Sequence, residues 1–400
     1  MRKIFSAFSL VIISIFVAIL LTEIGLRSLK WQQNNSYKIL PDSDVKDFPK
    51  NDAYINESSY VEKTYHFALM RFSSFLGYYP IKNHTAKGYV TNNHGFRYQE
   101  SFQAKKPASE IRIFFTGGST AWGSGVSQEY LYTTLIESEL QKYLKMKVRV
   151  ISAGVGAYLS THERILILNK IRDFNPDIVV MFSGWNDSYA GYRGKRVSDD
   201  TWDYLRAAPI LAKYCNKFAL DEHNNNPIDP PQYDDFAFKS YYIINRFIYK
   251  LKSINEIEKS LSKNQIKPKI VLNDLEDNIK SVFDFSKRYN FSFIFYLQPS
   301  LYNTQKKLSE FESYLFDKGK KKYVGFPEYN KKIYDLFRNR LPFLAKQEKF
   351  IFLDADKAIS REKKTVFIDH VHFGDRGNQL FAKELVDIFF KMLIEKIKSN

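Results

Sequence analysis

A single cysteine, Cys215, stands among 400 residues, which excludes an intramolecular disulfide framework and any multi-cysteine zinc or iron–sulfur site. Glycine numbers 17 and proline 13, with no collagen-like period and only short Asn and Pro runs, so fibrous and low-complexity architectures have no support. No internal repeat is visible, and repeat architectures go with it. What remains is an ordinary globular balance with extra aromatics, 44% hydrophobic and 16% aromatic. The net charge of +16 comes mostly from lysines spread between Lys30 and Lys398. No compact block of Arg, Lys and aromatics forms a recognition module, so the excess reads as a lysine-rich surface suited to anionic lipid rather than to nucleic acid.

Long apolar runs are absent but for one. Residues 4–21 (IFSAFSLVIISIFVAILL) carry no charge, and as a helix they would reach about 27 Å, enough to cross a bilayer. Arg2 and Lys3 precede the run, while Glu23, Arg27 and Lys30 follow it. This bias points to an inside amino terminus and to the remainder lying outside the cytoplasm, periplasmic or at the cell surface. A cleaved leader is the alternative, but no small-x-small pair follows the run. The expectation is an uncleaved membrane anchor over residues 1–30.

Residues 31–108 are polar and aromatic with little periodicity, and read as a stalk that wraps onto the domain. From residue 109 to 397 the style changes. Short apolar runs, IRIFF, VRVIS, DIVVMFS, FSFIFYLQ (291–298) and FIFLDAD (350–356), alternate with amphipathic stretches. The helices are expected from about Gln128 to Leu144, to about Arg172, and from Asn378 to Ile397. Such alternation means βαβ units and a parallel sheet, hence a three-layer α/β fold. Between residues 189 and 268 it breaks into a polar, aromatic stretch followed by an amphipathic helix over about 238–261. That is an insertion of the kind that builds substrate walls at the carboxyl edge of a parallel sheet.

Four segments sit where such a sheet places its chemistry. The first is Thr116-Gly117-Gly118-Ser119-Thr120, after IRIFF. Glycines there permit a tight turn that presents a serine hydroxyl beside backbone N–H groups. It is neither a phosphate loop, lacking Gly-Lys-Ser/Thr, nor a Gly-x-Ser-x-Gly elbow, because Ala121 takes the last position. By itself it is a plain βα turn. The second segment, residues 152–158 (SAGVGAY), leaves room for a backbone N–H to approach a ligand oxygen, or merely turns the chain. The third, Gly184-Trp185-Asn186-Asp187, offers a side-chain amide to an oxyanion, or only a helix cap. The fourth is Asp369-His370-Val371-His372. A carboxylate three residues before an imidazole can meet it across one helical turn and support the imidazolium formed when it takes a serine proton. A metal reading through Asp369, His370 and His372 lacks a second His or Cys cluster, so no metal is expected. His162 reads as a surface or cap residue.

Taken in order, the segments resemble the blocks of the SGNH hydrolases, also called the GDSL esterase/lipase family, over about residues 111–394. Gly117-Gly118-Ser119 is similar to the first block, Gly184-x-Asn186-Asp187 to the third and Asp369-x-x-His372 to the last. The resemblance implies a flavodoxin-like α/β/α domain in which Ser119 is the nucleophile, His372 the general base and acid, and Asp369 its partner. Its oxyanion hole would combine the Ser119 N–H, the Asn186 side chain and a backbone N–H of the second block. There the family's Asn-x-Gly-x-x-Gly pattern is altered, with Ser152 at the Asn and Ala157 at the last Gly, so Ala157 or Gly156 supplies that donor. No cofactor is implied. The implied activity is hydrolysis of short acyl esters, acetyl above all, on an envelope or extracellular saccharide. An O-acyltransferase with the same triad is the first rival. A saccharide-binding protein using Tyr189, Tyr192, Trp202 and Tyr204 is the second, and a surface lipase the third, though no extended apolar lid is apparent.

Overall fold

A computed structural model describes residues 53–60, 70–73, 76–86, 88–197 and 265–399. They fall within one compact unit, Asp42–Ile228 with Glu258–Asn400. A second unit, Met1–Pro41 with Asp229–Ile257, lies outside the described residues. So do the apolar run at residues 4–21 and the helix expected over 238–261. Among the described residues no helix is long and apolar enough to cross a membrane.

The centre is a five-stranded parallel sheet of β5 (Glu110–Gly117), β6 (Lys147–Ser152), β7 (Ile178–Ser183), β8 (Ser292–Leu297) and β9 (Ile351–Asp354), in the order β6-β5-β7-β8-β9. Counted from β5 this is 2-1-3-4-5, the flavodoxin-like order, whose strand order reverses at β5. All five are among the runs picked out in the sequence. Because side chains alternate along a strand, the sheet feeds two cores. Phe114, Ile151, Val179, Met181, Phe293 and Phe295 face one side. Helices α3 (Ser160–Asn169), α5 (Pro268–Tyr289) and α7 (Phe326–Glu348) cover that side. Ile113, Phe115, Val150, Val180, Phe182 and Tyr296 face the other, under α2 (Tyr132–Tyr143) and α9 (Asp375–Ser399). Burial of side chains this large contributes about 1.5–3 kcal/mol each. The three-layer α/β/α class expected from alternation is therefore present.

Three details differ from the sequence reading. A 3-10 turn occupies Gln128–Tyr130 and α2 begins only at Tyr132. The last helix starts at Asp375, where that carboxylate accepts the Ile55 and Asn56 N–H groups at 2.6 and 3.0 Å. The alternation also does not stop at residue 189, because α4 (Trp185–Tyr192) runs through it and residues up to Val197 pack in the first core.

Within residues 70–91 the chain forms two short antiparallel hairpins, β1 (Met70–Ser73) with β2 (Gly77–Pro80) and β3 (His84–Ala86) with β4 (Tyr89–Thr91). Leu76, Tyr78, Tyr79, Phe96, Tyr98 and Phe102 are buried in the same core as the sheet. This segment is part of the domain's packing and meets the ends of its strands.

Candidate active site

The first segment turns sharply after β5 into a four-residue helix, α1 (Ser119–Trp122). Gly117 has φ +146, and a Cβ there would meet the Phe182 carbonyl at 2.4 Å. A Cβ on Gly118 would lie 2.2 Å from Asn186 Nδ2. The two glycines therefore let the turn close against β7 and bring the Asn186 amide against the residue preceding Ser119. Ser119, the first residue of α1, is half-buried.

The last segment reaches it from 253 positions away. His372 Nε2 lies 2.6 Å from Ser119 Oγ, and His372 Nδ1 lies 2.7 Å from Asp369 Oδ2. With the carboxylate ionised, Nδ1 carries the proton and Nε2 is left to accept from the serine hydroxyl. The pair does not meet across a helical turn as the spacing suggested. Asp369 Oδ1 instead accepts the Val371 and His372 N–H groups at 2.8 and 2.7 Å, closing a turn around its own side chain, as short carboxylates do in loops. His370 points elsewhere, against the rings of Trp185 (5.3 Å) and Tyr323 (5.3 Å). The three metal candidates are thus split between two environments.

Beneath this loop lies a buried ion pair that sequence reasoning missed. Glu312 accepts Lys306 Nζ at 2.5 Å and, with its other oxygen, the Val366 and Phe367 N–H groups at 2.9 and 3.2 Å. Ser309-x-x-Glu312 is a readable capping box at the start of α6 (Glu310–Lys322). Nothing in that pattern announces that the same carboxylate holds the segment leading to Asp369.

The second segment lies alongside the first. Val155 N–H donates to the Gly117 carbonyl at 2.9 Å, and Ser152 Oγ donates to the Ala121 carbonyl at 2.8 Å. Asn186 Nδ2 donates to the Tyr158 carbonyl at 2.8 Å. Ser119, the Gly156–Ala157 turn and Asn186 are therefore linked at one edge of the sheet. Ala157 has φ +64, the left-handed conformation that explains why a glycine suits this position.

Three further groups hold the site from below and behind. Glu163 is fully buried on α3 and accepts the Thr116 hydroxyl at 2.8 Å; burial pushes its pKa up to about 8. Asp187, next to Asn186, accepts the Ser160 N–H at 2.9 Å, and burial raises it to about 6. Arg97 is also fully buried. It donates to the Trp122, Gly123 and Val126 carbonyls at 2.6, 2.7 and 2.5 Å and to Gln128 Oε1 at 3.2 Å. These bonds cap the carboxyl end of the helix whose first residue is Ser119. Burial lowers Arg97 to about 10, which leaves it a cation at neutral pH.

His162 is the cap expected of it, with Nδ1 accepting the Leu159 N–H at 3.1 Å, but it is not a surface residue. It is buried and stacked on Tyr158 at 4.8 Å, and burial lowers it to about 4. Of the aromatics assigned to a glycan surface, Tyr192 is 1% exposed and donates to the Val324 carbonyl at 2.7 Å, so it belongs to the core. Tyr189 is half-buried on the same helix. Trp202 and Tyr204 lie outside the described residues.

No protein-family model and no curated protein matches the chain. Among solved structures it is similar to an acetyl xylan esterase at 16% identity, over 70% of this chain and 99% of that one, with a TM-score of 0.36. An acetylxylan esterase from Geobacillus stearothermophilus matches at 12% identity over 69% and 93%, TM-score 0.35. A GDSL-like lipase from Bacteroides thetaiotaomicron matches at 13% over 69% and 87%, TM-score 0.33.

Proposed function

We propose that this chain is a carboxylic ester hydrolase of the SGNH type, working through an acyl-enzyme on Ser119. The observation that carries the reading is the unbroken line from Ser119 Oγ through His372 to Asp369, with contacts of 2.6 and 2.7 Å. Ser119 Oγ attacks the ester carbonyl while His372 Nε2 takes its proton, and Asp369 supports the imidazolium that results. The Ser119 N–H, the Asn186 amide and a backbone N–H of the Gly156–Ala157 turn receive the oxyanion. His372 then protonates the departing alkoxide, and water, activated by the same imidazole, releases the acid. No metal or cofactor enters this sequence of steps.

The substrate we favour is a short acyl ester, acetyl first, on an envelope or extracellular saccharide, with the domain tethered to a membrane outside the cytoplasm by residues 4–21. The apolar run with its basic flank supports the placement, and the family resemblance of the motifs supports the substrate class. The test is labelling of the full chain with a fluorophosphonate probe, alongside turnover of p-nitrophenyl acetate and release of acetate from acetylated saccharides. Labelling and turnover should disappear together in Ser119→Ala, with a loss of at least about 10⁴-fold. Cleavage of long-chain lipid esters with no release of acetate would remove the saccharide assignment.

A further inference from the structure

Hairpin strand β2 reaches the turn of the second segment through one hydroxyl. Tyr78 donates to the Gly156 carbonyl, and the Tyr158 hydroxyl donates in return to the Tyr78 carbonyl. The two rings meet edge on with centroids 5.5 Å apart, and both side chains are buried. Burial pushes both hydroxyls far above their ordinary range, so they remain donors at any working pH.

The planarity of the peptide group gives the first of these bonds its meaning. The Gly156 carbonyl and the Ala157 N–H belong to the same trans peptide and point to opposite sides of it. A donor that fixes the carbonyl therefore fixes the direction of the N–H, and polarises it as well. The Ala157 N–H makes no hydrogen bond among the described residues, and the residue is half-buried. In the peptide before it, the Val155 carbonyl accepts the Tyr158 N–H at 3.1 Å, so that plane is held from within the turn and not by the hairpin. On either side the turn is tied to the site, by Val155 N–H to the Gly117 carbonyl at 2.9 Å and by Asn186 Nδ2 to the Tyr158 carbonyl at 2.8 Å.

We infer that Tyr78 is a positioning residue of the oxyanion hole, its hydroxyl setting the Gly156–Ala157 peptide so that Ala157 N–H is the second segment's donor. This rests on the serine esterase reading. A purely structural role, in which the tyrosine pair only docks the hairpin, predicts lost stability without a selective loss of turnover.

Tyr78→Phe in the full chain deletes the hydroxyl and keeps the ring. Oxyanion contacts act in the transition state, so kcat for p-nitrophenyl acetate should fall about tenfold or more with KM within about twofold, and fluorophosphonate labelling should slow in parallel. Tyr158→Phe leaves the Tyr78 hydroxyl in place and releases only its backbone, so its kcat should fall less, by about threefold, for a similar loss of Tm. A folded Tyr78→Phe with kcat within about twofold of wild type, or with its loss carried by KM, overturns the inference. Should Tyr78→Phe not fold, an unchanged kcat in Tyr158→Phe overturns it equally. A wild type that neither labels nor turns over removes the esterase reading and this inference with it. A competent wild type beside an equally competent Tyr78→Phe removes this inference alone.

Discussion

The parallel sheet and the segment before it serve the same site in opposite ways. From the ends of β5 and β7 and from the loop before α9 come the groups that can do chemistry, Ser119, Asn186, Asp369 and His372. From the described residues of 53–98 come groups that mostly hold the backbone of the turns around the site. Arg97 holds the carbonyls of residues 122, 123 and 126, Tyr78 holds the Gly156 carbonyl, and the Ile55 and Asn56 N–H groups hold Asp375, three residues after His372. The sheet supplies reactivity, and the amino-terminal segment supplies the aim of the turns that present it. Pre-organisation of this kind matters because oxyanion donors and nucleophiles lose rate steeply when displaced by an ångström.

The widest separation between the two regions should appear on removing Arg97. Ser119→Ala deletes one hydroxyl from a half-buried residue and should leave the melting curve almost unmoved. Arg97→Met is similar in size but strips hydrogen-bond donors from three buried carbonyls and from Gln128 at once. At about 1–3 kcal/mol for each buried polar group left unsatisfied, the loss should be at least about 3 kcal/mol, read as a fall in the urea midpoint. Turnover should fall with it, since the helix bearing Ser119 loses its cap. A variant as stable as wild type would show that the segment merely covers the site.

The two regions were also unequally legible. Each sheet strand is a run of apolar residues bounded by turns, and the site residues follow because chemistry demands particular side chains at strand ends. Ser119 and His372 can be picked out for that reason. The hairpin strands are three or four residues long, and β2 is buried at all four positions, so no alternation marks it. Tyr78 differs from Tyr79 beside it only in which way the fold turns it. Arg97 carries no signal in the sequence because three of its partners are carbonyls, which every residue has. Spacing suffices to bring Asp369 and His372 together but not to give the turn between them, because the carboxylate bonds its own following N–H groups and no helical turn forms.

A second contrast lies in pH. Tyr78 and Arg97 keep their protonation state across the working range, whereas Glu163 and Asp187, under the sheet's turns, do not. Glu163 is raised from 4.5 to about 8 and Asp187 from 3.8 to about 6, each chiefly by burial. Both are therefore held neutral more firmly in the folded chain than in the unfolded one. The stability this confers is complete below the unfolded pKa and is lost as pH rises through the folded value. The Tm should accordingly decline between about pH 4 and 8. Glu163→Gln keeps a neutral group of similar shape and should flatten the upper part of that decline. An identical slope in the variant would place the titration elsewhere.

The smallest effect probes a residue beside one of the points where the two regions meet. Ala157 is held at φ +64, which costs an L-residue about 1–2 kcal/mol that glycine does not incur. Glycine also loses more conformational entropy on folding, by roughly 0.5–1 kcal/mol. Ala157→Gly should thus stabilise the chain by about 0–1.5 kcal/mol, raising Tm by a few degrees or less. Its interest lies in the pairing with Tyr78. If the hydroxyl of Tyr78 and the Cβ of Ala157 both restrict the same peptide, removing them together should lower kcat by more than the product of the single effects, since the peptide then loses both restraints. Independent effects would mean that the Tyr78 hydroxyl and the Ala157 conformation hold the turn for separate reasons, and the aim of the Ala157 N–H would then be set by the sheet alone.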